Sequence, residues 1–250
     1  MSLKNFEKIF YSELEINNIV LSLFAEGAYA IYLNDKKPIK INSLPWDTFD
    51  DNLLKELNNI TKFNLIISST QSTILPDEYL LKYSKNDFAT ILGWENTDDI
   101  KMNSIPALNA IMLNKKINTP DQINIYPYTP HEFLWIQYIL DKNEDGVFID
   151  IHTNTMIIAI VCEGKLLFYN LLEYKTPMDM LYYVSSAIIN VVGLSDTSLP
   201  MYFSGAITED SHLIEKVDPF FSEIKLLSHS TNILGEFTHF FISSIKLCEL

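Results

Sequence analysis

The chain has 250 residues, 48% of them apolar and 20% charged, a balance that supports a buried core and excludes disorder. Its formal net charge is −14, and all 18 basic residues are lysine, so a polyanionic backbone is repelled and nucleic acid is excluded as a partner. The absence of arginine also removes the planar fork that grips phosphate or carboxylate with two parallel bonds.

In chain order, Ile19 to Phe24 and Ala28 to Leu33 read as strands separated by the turn residues Glu26-Gly27. Asn34-Asp35-Lys36 turns the chain, and Pro38 to Ile41 resumes a strand. A helix is expected from about Asp47, with Phe49, Leu53, Leu57 and Ile60 on one face, and Phe63 to Ser68 follows as a short strand. Leu80 to Tyr128 is weakly patterned, with strands expected at Ala107 to Leu113 and Ile123 to Tyr126. Thr129-Pro130-His131-Glu132 reads as a capping box opening a helix through Phe133, Trp135, Ile136 and Leu140. The aromatic series Tyr126, Tyr128, Phe133 and Trp135 is assigned to packing.

The second half repeats the first. Val147 to Ile151, Thr155 to Cys162 and Lys165 to Leu171 are strands, with Glu163-Gly164 as a turn. Thr176-Pro177-Met178-Asp179 starts a helix whose buried stripe is expected to be Met178, Leu181, Ser185, Ile188, Ile189 and Val192, ending at Gly193. Met201 to Ser204 is a short strand running into Gly205, and a last helix near Phe237, Phe240, Phe241 and Ile245 is expected to dock on the second sheet. Shifting Ser22 to Asn42 forward by 128 residues lays it on Asp150 to Asn170 without a gap, strand on strand. Two domains follow, residues 1–125 and 126–250.

Three antiparallel strands, a helix and a returning strand, used twice, resemble the actin-like ATPase fold, an α/β architecture of two ribonuclease-H-like domains. Gly146-Val-Phe-Ile-Asp150, Gly164-Lys-Leu-Leu-Phe-Tyr-Asn170, Tyr174-x-Thr-Pro-x-Asp179 with Tyr182-Tyr183, and Leu247-Cys248-Glu249 resemble, more narrowly, a bacterial family described as a domain of unknown function (number 3822). The resemblance implies ATP and magnesium in a cleft between the domains, held by an acidic turn in each half and a glycine turn against the adenosine. In this sequence Ser22 stands where one metal-facing acid belongs, and His152 replaces the glycine after the retained Asp150. Magnesium wants hard anionic oxygens, and a phosphate loop wants bare backbone. Asp150, Thr153, Thr155, Ser204 and Gly205 are therefore vestigial nucleotide-binding candidates, with Asp150 read as capping its own hairpin turn. No catalytic residue, metal ligand or cofactor is expected.

The histidines at 131, 152, 212, 229 and 239 are scattered, so a metal site could be assembled only in three dimensions. Cys162 and Cys248 form no disulfide framework. No signal peptide or membrane-crossing run is read, and a cytoplasmic protein is expected. The expected function is a non-catalytic actin-like module acting through an unknown protein partner or self-association; the alternative is an ATPase or small-molecule kinase with a divergent site.

Overall fold

The computed structural model of the chain describes residues 6–9, 15–16, 18–25, 27–34, 37–46, 63–94, 99–124, 126–191, 199–207, 211–221 and 223–227. The helix expected from Asp47, the end of the second-half helix at Val192 and Gly193, and the last helix near Phe237 lie outside them. Among the described residues, fourteen strands form three sheets.

The first sheet runs β1(Phe6–Ile9), β4(Lys37–Pro45), β3(Gly27–Asn34), β2(Asn18–Phe24), β5(Phe63–Ile67) and β9(Thr129–Pro130) in spatial order. The second runs β12(Lys165–Glu173), β11(Thr155–Cys162), β10(Gly146–Ile151), β13(Met201–Gly205) and β14(Ile224–Leu226). In each, a three-stranded antiparallel meander is joined in parallel by a returning strand, β5 on β2 and β13 on β10. The 128-residue shift carries β3 onto β11 and β4 onto β12 end for end. It also carries the register irregularity between Tyr32 and Leu33 onto the one between Ile160 and Val161. A bulge re-aims every side chain beyond it, so its recurrence at one repeat position marks a shared backbone design.

A third sheet, β6(Ser69–Pro76), β8(Ala110–Lys116) and β7(Ile100–Ile105), is inserted after β5 and carries α1(Lys85–Leu92). It fills the weakly patterned stretch. The strand expected at Ile123 to Tyr126 is instead a 3-10 turn at Asp121–Ile123, and Ala107 is in another 3-10 turn before β8. Helix α1 is opened by a capping box in which Ser84 accepts from the Asp87 backbone N–H and Asp87 accepts from Ser84.

Strands β2 and β10 are buried on both faces, which is why they read as continuous apolar runs without alternation. Their odd-numbered residues, Ile19, Leu21 and Leu23 or Val147, Ile149 and Ile151, pack outward in separate cores. Val20 and Phe24 from the first sheet and Phe148 from the second share one central core with α2(His131–Lys142). That helix is buried at His131, Glu132, Phe133, Leu134, Trp135, Ile136 and Ile139, too continuously for an ordinary surface stripe.

Helix α3(Pro177–Val191) starts as expected, with Thr176 and Asp179 exchanging side-chain and backbone bonds. Its buried stripe is Met180, Leu181, Val184, Ala187 and Ile188, whereas Met178 and Ile189 face outward. The apolar ring is wide enough to permit either rotation, and the packing against the second sheet decides it. The α4(His212–Val217) helix leads to β14.

Candidate functional site

The two halves meet at the ends of β2 and β10. Repeat position 24 corresponds to position 152, and the Phe24 ring lies stacked on the His152 ring, centroids 4.7 Å apart and 27° between planes. Contact between corresponding positions is what two copies facing each other across a twofold produce. Two residues earlier, the repeat sets Ser22 against Asp150, both buried.

Asp150 is 1% exposed and its carboxylate is taken by side chains from three elements. Oδ2 lies 2.6 Å from His131 Nε2 and 2.8 Å from His152 Nε2. Oδ1 accepts from Ser204 Oγ at 2.5 Å, and Ser204 Oγ accepts from Trp135 Nε1 at 2.9 Å. An ionised carboxylate only accepts, so both imidazoles direct Nε2–H at it when no other group intervenes. The sequence led to the expectation that Asp150 caps the backbone of its own hairpin; instead its carboxylate is bonded by the side chains of His131, His152 and Ser204. Burial pushes its carboxyl up, and the charges and hydrogen bonds of His152 and His131 more than reverse this, holding it well below the usual carboxylate range.

Each partner is placed by local structure. His131 is the first residue of α2, and Trp135 stands one turn later on the same face. Ser204 pairs with Asp150 in the parallel β10–β13 ladder, where the first half pairs Ile66 with Ser22. Gly205 follows at φ +87°, and a Cβ there would sit 2.1 Å from the Ile151 carbonyl oxygen. The His152 carbonyl accepts from Tyr174 Oη at 2.6 Å, which fixes the turn after β10. The His131 ring meets Phe24 and His152 edge-on at 5.2 and 5.0 Å.

The candidates therefore separate. Asp150, Ser204 and Gly205 converge; Thr153 is exposed in the hairpin turn, and Thr155 begins β11, where its carbonyl accepts from His152 N–H. His131 and Trp135 went unrecognised as site residues. The expected Thr129–Glu132 capping box is absent: Pro130 is the N-cap and no side chain caps it. Glu132, fully buried, instead accepts from Ser69 N at 2.7 Å, Ser69 Oγ at 2.6 Å, Ser68 Oγ at 3.2 Å and Asn114 Nδ2 at 3.3 Å. Asn114 Nδ2 also donates to Ser72 Oγ, which accepts from the part-buried Tyr169 hydroxyl at 2.7 Å. Consecutive residues of α2 thus pin opposite sheets, His131 the second and Glu132 the junction of the first with the inserted sheet.

Two related sheets, each a meander plus a returning parallel strand, define the class: an actin-like ATPase fold built of two ribonuclease-H-like units. The chain belongs to the family described as protein of unknown function (DUF3822), which it matches over residues 28–224. A Bacteroides thetaiotaomicron VPI-5482 protein of actin-like ATPase fold and unknown function is similar at TM-score 0.67 and 13% identity, over 93% of this chain and 95% of that one. A PilM-PilN type IV pilus biogenesis complex is similar at TM-score 0.50 and 10% identity, over 94% of this chain and 98% of that one. No curated protein matches by sequence. No helix among the described residues is long and apolar enough to cross a membrane.

Proposed function

We propose that the chain is a non-catalytic actin-like module that works through a protein partner or self-association, its nucleotide place refilled by its own side chains. The observation that carries this reading is the Phe24–His152 stack over an Asp150 carboxylate already satisfied by three donors. Corresponding turns of the two halves touch where the resemblance would put a triphosphate. A magnesium ion prefers oxygen ligands and keeps waters, and this acid is enclosed by imidazoles and aromatic rings. Ser22 supplies no second carboxylate. ATP and magnesium therefore do not fit these residues.

The protein-contact half of the reading draws support from exposed apolar side chains at helical spacing on α3, Met178 at 62%, Tyr182 at 68% and Ile189 at 47%. A similar fold also occurs in a pilus biogenesis complex. Residues 1–125 and 126–250 are the two domains in this reading, and the cytoplasm is its place, since two cysteines far apart in the sequence imply no disulfide framework. The acidic surface favours a basic partner surface.

One feature favours the ATP-binding alternative: Ser204-Gly205 keeps a glycine in the left-handed region at the end of β13. Calorimetric titration with Mg-ATP separates the two. No binding is the expected outcome. Micromolar affinity, or phosphate release that Asp150→Asn abolishes, overturns the proposal.

A further inference from the structure

We infer that His131, Asp150 and His152 form a binding site for one divalent transition-metal ion of the zinc class. This rests on the preceding reading only in that the Asp150 carboxylate is not committed to a nucleotide. The three side chains are 3%, 1% and 7% exposed, and one donor atom from each lies within 4.8 Å of the others. Both Nε2 atoms point at the same carboxylate oxygen, at 2.6 and 2.8 Å. A single ion placed among them takes the place of the two N–H protons aimed at one atom: each imidazole then binds through Nε2 and keeps one proton, on Nδ1, any second proton passing to solvent.

The donor set selects the ion. Two imidazoles and a carboxylate suit zinc and its first-row neighbours, whereas magnesium and calcium want oxygens. Zinc bonds of about 2.0–2.2 Å in a tetrahedral array set neighbouring donor atoms about 3.3 Å apart. The imidazoles therefore retreat from Oδ2 on binding, His131 by about 0.7 Å and His152 by about 0.5 Å. His131 is the first residue of α2 and His152 lies just beyond β10, so the adjustment falls at the ends of elements and not within them. Three protein donors leave one coordination position for solvent, the pattern of open zinc sites.

The surroundings supply the groups that hold such ligands in place. The second carboxylate oxygen is held by Ser204, which Trp135 holds in turn. The His152 backbone is tied by Tyr174, and Phe24 packs on both imidazoles. Partners of this kind raise metal affinity by about 10–100-fold in known sites. A hydrogen-bonded cluster alone has no need of two imidazole nitrogens on one oxygen; a Ser or Asn would serve.

The test uses the full chain, stripped with a chelator, dialysed against zinc chloride alone and measured for metal by mass spectrometry. One zinc per chain is expected, with a thermal midpoint that rises with zinc concentration and is indifferent to excess magnesium. Cobalt in place of zinc should give the visible absorption of a low-coordinate nitrogen–oxygen site. His131→Gln and His152→Gln each keep an N–H for Asp150 but lose the imidazole, so both should fold and bind zinc at least about 100-fold more weakly. Failure of the wild-type chain to retain zinc at micromolar concentration, a featureless cobalt spectrum, or unchanged affinity in the Gln variants overturns the inference. No nucleotide is present in any arm, so a negative result here leaves the Mg-ATP titration to decide the other reading.

Discussion

The two halves share a backbone and differ in what they bury at one seam. Between β2 and β5 the first half pairs Ser22 with Ile66 and Leu23 with Ile67. At the same places between β10 and β13 the second half pairs Asp150 with Ser204 and Ile151 with Gly205. One copy of the plan keeps an apolar seam with a single hydroxyl; the other keeps a carboxylate, a hydroxyl and a bare backbone. A buried carboxylate persists only where partners satisfy it: β13 and the turn after β10 give Asp150 Ser204 and His152, and α2 adds His131 to the second half alone. The lesson is that a repeated fold sets positions, and the element that crosses between copies decides which position carries charge.

The comparison breaks most sharply at the ends of the returning strands. Gly205→Ala places a Cβ 2.1 Å from the Ile151 carbonyl oxygen and 2.7 Å from its nitrogen, at a φ of +87° that side chains avoid. Backbone on both sides leaves no flexible group to yield. The expected loss is about 5 kcal/mol or more, enough to unfold an ordinary domain. Its counterpart Ile67→Ala opens a cavity in an apolar core and should cost about 2–5 kcal/mol while still folding. Urea denaturation followed by circular dichroism measures both. A Gly205→Ala protein as stable as the parent would mean the β10–β13 seam is looser than its geometry states.

Next comes the charged position itself. Asp150→Ala strips three donors of their acceptor at a buried site and should cost about 3–5 kcal/mol. Ser22→Ala, at the matching position, should cost no more than about 1.5 kcal/mol. The sign of the pH dependence follows from the depressed Asp150 carboxyl. Its contribution is present in full above the unfolded value of about 3.9 and fades as pH falls through that value towards the folded one. Stability of the parent should therefore drop more steeply below about pH 4 than that of Asp150→Asn. Parallel slopes in acid titrations monitored by fluorescence would remove the charge from the account.

Much of the fold was legible because its signals are local. The β2, β3, β10 and β11 strands are apolar runs bounded by turn residues, and a gap-free offset of 128 residues sets Ser22 on Asp150 in the sequence itself. The inserted sheet was legible only at β8, where a strand is expected at Ala107 to Leu113 and runs Ala110–Lys116. Its other strands mix Asn, Ser and Lys with apolar residues, and α1, at eight residues, is too short for its periodicity to stand out. The site was half legible. Asp150, Ser204 and Gly205 came from the resemblance, whereas His131 touches Asp150 across 19 residues and Trp135 touches Ser204 across 69. Nothing periodic reports such contacts. A usable signal existed in Pro130-His131-Glu132 opening an otherwise apolar helix: ionisable residues there must be either cap or buried network, and the cap was chosen.

Glu132 offers the finest test of how the halves are joined, because it is the neighbour of His131 and turns the other way. Its carboxylate accepts from hydroxyl, amide and backbone donors of Ser68, Ser69 and Asn114. Replacing it with Gln keeps an acceptor for the Ser69 N–H and turns an amide group towards Ser69 Oγ, which can accept. The cost should be about 1–3 kcal/mol, below that of Asp150→Ala. Since Ser69 Oγ bonds directly to Glu132, Glu132→Gln and Ser69→Ala should be non-additive by about 0.5 kcal/mol or more in a double-mutant cycle. Zinc uptake should be unchanged in both, because neither residue touches Asp150 or its two histidines in this network. Additive energies would mean that the first half is held to α2 by apolar packing alone, and the two anchors of that helix would then differ in kind.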